Sequence, residues 1–165
     1  MHLDRAAEES MTLIVAAIVS RMGEEGWHEP CRAGIMPGLE VPLDYCAGDC
    51  EGGMVWARLV SITPLTAVDD ATGAPCATGM SAVIEVGMSG SVALPYADDM
   101  GNITVPSQEE NTTATHLQLQ QMRVMHDAVA CTTFPMGRAS IGAYGPFGPE
   151  GGCVGGVWLV TVPLI

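Results

Sequence analysis

His28, Cys31, Cys46 and Cys50 place an imidazole and three thiols within one irregular stretch of the chain. Donors of that softness, as His-x2-Cys followed by Cys-x3-Cys, are what a structural zinc ion takes, and a metal staple suits a segment lacking regular structure. Against this, Cys-x3-Cys is a loose spacing, His28 reads equally as a surface residue, and cysteine is commonly a small buried hydrophobe. Packing is the favoured reading, zinc the alternative, and no metal or cofactor is assigned.

His126, Asp127 and Cys131 suggest a thiol nucleophile with an imidazole base. A five-residue offset on a helix turns two side chains about 140° apart, so His126 and Cys131 are not expected to meet. Cys131 instead continues the apolar line Leu117, Val124, Ala128. Ser140 lacks the strand-turn-helix setting of an activated serine. The closing "GPFGPEGGCVGGVWLVTVPLI" is rich enough in glycine to suggest a phosphate cradle. A cradle needs backbone amides converging on a helix N-terminus, commonly with a lysine reaching the phosphate, whereas these glycines lead into strand-like "VWLVTV". The glycines read as a flexible hairpin turn. No catalytic constellation remains, and the chain is not expected to be an enzyme.

The elements that would carry such groups follow from periodicity. Apolar residues Ala7, Met11, Ile14, Ile18 and Met22 predict a first helix, capped by Asp4 and stopped at Gly23. The unbroken "MTLIVAAIV" predicts packing on more than one side of it. Residues 26–53 hold three prolines, six glycines and three cysteines and read as irregular, with a short strand near 39–43. "GMVWARLVSITP" alternates as a strand, Val55, Ala57, Leu59 and Ser61 facing one way and Met54, Trp56, Arg58, Val60 and Ile62 the other, ending at Pro64. Residues 65–78 read as a long loop. "GMSAVIEVGMSGSVALP" is a strand with Met80, Ala82, Ile84, Val86 and Met88 on one face, bent at Gly87 and Gly90.

A loop with Asp98, Asp99 and Pro106 leads to a capping box, Ser107 with Glu110, before a second helix that could begin as late as Thr113. Extended segments at 139–144 and 154–162 close the chain. The order α-β-β-α-β-β predicts one α+β domain over residues 1–165, its sheet mostly antiparallel and its two helices on one face.

Composition limits function. Nineteen acidic residues face six arginines and no lysine, for a net charge of -13, so binding nucleic acid through a basic face is not expected. A hydrophobic fraction of 48% with few charges leaves apolar surface for permanent partners, and the 11 methionines suit gaps in cores and between subunits. The apolar stretch 11–19 is too short to span a bilayer and follows acids, so neither anchor nor export signal is expected. Reduced cysteines in a protein assembled in the cytosol follow from that reading, and the sequons at Asn102 and Asn111 are read as chance.

With these segments assigned, the chain resembles the tail terminator and neck proteins of long-tailed actinobacteriophages. The resemblance is carried by the first helix, "CRAGIMPGLEVPLDYCAGDCEGGMVWARLVSITP", "SAVIEVGMSG", the Gln-rich second helix and "GPFGPEGGCVGGVWLVTVPL". It covers most of residues 4–163. The cysteine pair near that family's first strand looks similar to Cys46 and Cys50, whereas the absence of lysine and the long 65–78 segment are unmatched.

What the resemblance implies is a structural virion protein of the phage neck. Its copies would form a hexameric ring on the finished tail tube, stop its polymerisation and meet the head-side connector or head-closure protein. Genomic DNA would pass through the lumen without specific binding, and Asp69, Asp70, Asp98 or Asp99 would line or rim that channel. A head-closure or tail-completion protein is the alternative, and a small zinc-binding cytosolic protein a third.

Overall fold

The computed structural model describes residues 2–38, 40–41, 50–68, 75–150 and 152–165. The elements are α1 (Leu3–Glu24), β1 (Arg32–Ile35), β2 (Met54–Val68), β3 (Pro75–Ser91), β4 (Tyr96–Ala97), β5 (Ile103–Thr104), α2 (Gln108–Cys131), β6 (Ser140–Glu150) and β7 (Cys153–Pro163). The class is α+β, with three strands more than the predicted order contains. The main sheet runs β1-β2-β3-β7-β6, antiparallel except for the β1–β2 pair, and β4 and β5 form a separate hairpin.

Both helices lie on one face of the main sheet. Ile14, Ile18 and Met22 of α1 and Val124, Met125 and Val129 of α2 close over Val55, Ala57, Ile84, Val86, Val160 and Val162. These sheet positions obey the two-residue alternation of a pleated strand. Ile62, expected on the opposite face, packs against this same core, because the β2–β3 register shifts between Leu59 and Ser61. One inserted residue reverses the side chains that follow.

Helix α1 is one-sided: Thr12, Leu13 and Ala16 are exposed, so its wide apolar run is not buried within this chain. Asp4 sits in the first turn rather than at the cap, which is His2. The helix ends through Gly26, at φ +75, with Trp27 N–H donating to the Met22 carbonyl at 2.9 Å. That is the glycine-assisted helix stop expected at Gly23, displaced by three residues.

Helix α2 begins directly after Ser107, whose hydroxyl accepts from Glu110 N–H at 3.2 Å while the Glu110 carboxylate accepts from Ser107 N–H at 2.7 Å. The 65–78 loop is corrected in part. Strands β2 and β3 stay paired through Val68 and Pro75, and Pro64 sits within the ladder opposite Met80. Likewise β6 continues through "GPFGP" to Glu150, so the turn is confined to the residues before Cys153.

A charged clasp joins the helices. Arg123 donates to both Glu25 carboxylate oxygens at 2.8 and 2.6 Å, and Arg21 approaches Glu25 at 3.2 Å and Asp127 at 3.8 Å. The hydrogen bond from Arg123 holds the Glu25 carboxyl below its usual 4.5. A depressed carboxyl stabilises the fold above its unfolded value and loses that contribution as pH falls through the folded one. Glu25→Gln is expected to cost about 1 kcal/mol at pH 7, since the clasp is bidentate yet lies at the surface. The cost should shrink as pH falls below 4.5 and through the lowered folded value, where wild type becomes protonated too.

Candidate functional site

Two of the clustered cysteines, Cys31 and Cys50, form a disulfide. Strand β1 runs parallel to β2, with Cys31 N–H donating to the Gly53 carbonyl at 2.9 Å. That register brings Cys31 beside Cys50, and their sulfurs are bonded across a Cα separation of 6.1 Å. Cys153 is disulfide-bonded as well. The expectation of reduced thiols is therefore corrected, and Cys31 and Cys50 are not available as zinc ligands.

His28 points to Glu51, at 3.0 Å, and Cys46 lies outside the described residues. No group of three or more His, Cys, Asp or Glu positioned for a metal occurs among the described residues. Cys131 is free and exposed at the end of α2 instead of continuing the buried line. His126 is engaged with Asp127 at 3.1 Å and lies against Trp158, ring centroids 5.8 Å apart.

The glycines in the first part of the last strand serve close approach. The Phe147 ring and the β3 backbone at Met88 and Ser89 occupy the space a Cβ at Gly155 would need, and Tyr144 lies over Gly156. In the same way the Trp56 indole lies across Gly87, its cross-strand partner. The Phe147 and Trp56 contacts exist only because the paired residue has no side chain.

Of the four acids expected at a channel, Asp69 and Asp70 lie outside the described residues. Asp98 and Asp99 are exposed in the turn joining β4 to β5. Asp98 builds that turn. Its carboxylate accepts from Asn102 Nδ2 and Asn102 N–H, both at 2.8 Å, and from Met100 N–H at 2.9 Å. These bonds, the Asn102 side chain's foremost, hold its carboxyl below the usual 3.8. Gly101 supplies the left-handed residue, at φ +82.

Around this turn the hairpin displays Tyr96 at 63% exposure, Met100 at 85%, Ile103 at 73% and Val105 at 68%. Isolated exposed apolar residues are ordinary, but four on and beside one short hairpin form an exposed apolar patch. The sequence reading assigned this stretch to a loop and passed over its apolar residues. The available signal was "YADDMGNITV", two short β-prone segments around Asp, Gly and Asn. Among the described residues, no helix is long and apolar enough to cross a membrane. The chain matches no protein-family model and no curated protein sequence.

Proposed function

We propose that this chain is a structural protein of the bacteriophage neck, most specifically the tail terminator, acting as a homohexameric ring. The observation that carries this reading is the β4–β5 hairpin, whose apolar residues project from a fold that already has a complete core. Such a surface fits burial against another subunit of a permanent assembly. Exposed Leu13 on α1 adds a second apolar position that this chain leaves bare.

The charge supports the second half of the proposal. A ring of subunits at -13 each, without lysine, gives a lumen through which DNA moves without adhering. In this reading exposed Asp99 contributes to such a rim, while Asp98 keeps the hairpin in shape. The disulfides suit a particle that persists outside cells, since virion surfaces are among the places where such bonds endure. In this reading the ring seats on the major tail tube protein and presents its other side to the head-side connector, and the chain has no catalytic role.

The hairpin gives a direct test. Combining Tyr96→Ser, Met100→Ser and Ile103→Ser should leave the monomer's stability within about 0.5 kcal/mol of wild type, because all three side chains are exposed. Tail tubes assembled with the variant should run past normal length. Tubes of normal length in its presence would remove the hairpin from the account.

A further inference from the structure

Along one flank of α2 lies a groove that the ring reading does not use. Its deeper part is a cleft of 560 Å³ between α2, the end of β3 and the Cys50–Gly52 segment, lined by Trp27, Glu51, Met88, Gly90, Leu117 and Gln121. A second cleft of 300 Å³ continues it toward the start of α2 past Val92, Ala93, Ala114, Glu109 and Glu110, the two sharing Ser91 and Leu117.

At the base sits Gln121, 2% exposed, whose Oε1 has no hydrogen-bond partner. The one other buried side-chain polar atom in that condition among the described residues is Arg21 Nε, which faces the Glu25 carboxylate at 3.2 Å. A buried amide oxygen without a donor costs stability that leucine at the same place would not. The cost is offset when a ligand brings the donor.

We infer that this groove docks an extended, positively charged segment of a partner protein, with a backbone or side-chain N–H reaching Gln121 Oε1. Charge selects that occupant. The described lining residues include three carboxylates, Glu51, Glu109 and Glu110, and no arginine or histidine. Another copy of this chain, with no lysine and only six arginines, has few cations to offer these carboxylates, and a phosphate-bearing ligand is repelled by them. Shape selects extension: Glu109 to Gln121 spans about 18 Å of helix, matching about five or six residues of extended chain. The apolar floor of Leu117, Val92, Ala93 and Ala114 takes alternate side chains, leaving cationic ones to the rim. The inference is independent of which assembly the chain belongs to.

The test uses the full protein and three end-blocked, fluorescently labelled hexapeptides alternating leucine with arginine, serine or glutamate, read by anisotropy at low salt. The Arg/Leu peptide should bind at least about tenfold tighter than Ser/Leu, losing most of that margin at high salt, with Glu/Leu weakest. Gln121→Leu should weaken it about tenfold while leaving the melting temperature unchanged or raised, a combination that a purely structural glutamine would not give. Glu51→Gln with Glu109→Gln, both at exposed positions, should weaken binding and flatten its salt dependence. Asp99→Asn, away from the groove, should change nothing. Equal affinity for the three peptides would overturn the inference, as would undiminished binding to Gln121→Leu or an Asp99→Asn effect as large as that of the glutamate pair.

Discussion

Gly155→Ala is expected to destabilise the protein by about 3 kcal/mol or more, enough to remove much of the margin by which an ordinary domain stays folded. Gly155 pairs with Ser89 on one side and Phe147 on the other, in the middle of the sheet. A methyl group there would meet the Met88 carbonyl and the Ser89 Cα as well as the Phe147 ring. A ring can rotate away, whereas backbone on the neighbouring strand can yield only by opening the ladder. Gly145→Ala, in the same hairpin, is the control. Its Cβ would meet Val157 Cγ2 at 3.6 Å, an ordinary contact, so its effect should stay within about 0.5 kcal/mol. Urea melts of the two variants should separate clearly, and equal midpoints would contradict the close approach of the β3 backbone to Gly155.

Loss of the Cys31–Cys50 bond is expected to rank second. The two cysteines are 19 positions apart, and closing a loop of that size restricts the unfolded chain by about 3 kcal/mol. The cost should appear in Cys31→Ser as a lower unfolding midpoint. Wild type treated with reductant should fall at least as far, because Cys153 is also disulfide-bonded. The bond ties the segment before β2 to the start of β1, and β1 otherwise depends on a four-residue parallel pairing. In Cys31→Ser, amide exchange at Ala33 and Ile35 should therefore accelerate more than exchange in β3. A variant as stable as the parent would contradict any structural role for the bond.

These two sites show which parts of the fold were legible in the residues. Both helices and the faces of β2 and β3 were readable because burial imposes a strict period: Ala82, Ile84, Val86 and Met88 alternate in the sequence and are buried in the structure. Ser107 and Glu110 announced their capping box because that motif is local. The Leu59–Ser61 bulge was hidden, since one inserted residue leaves no compositional trace while reversing the face of Ile62. Strand β1 was missed because a four-residue parallel edge is specified by its partner, which lies in sequence beyond the intervening irregular segment.

The candidate surface was only half visible. Asp98 and Asp99 stand out in the sequence as charges, yet Asp98 acts as the acceptor at the centre of a turn, and the exposed apolar patch is made by Tyr96, Met100, Ile103 and Val105. Nothing in four apolar residues of a short stretch announces that they will be exposed. Exposure is decided by where the rest of the chain places its core. The cysteines misled for a related reason. Their spacing was weighed for metal chemistry and their redox state was taken from compartment, whereas the β1–β2 register brings Cys31 to Cys50.

The most direct measurement is an electron micrograph of phage particles assembled without this chain. The proposed tail terminator predicts tails of irregular and excessive length, because nothing then halts tube growth. Tails of normal length, whether attached to heads or free, would contradict it.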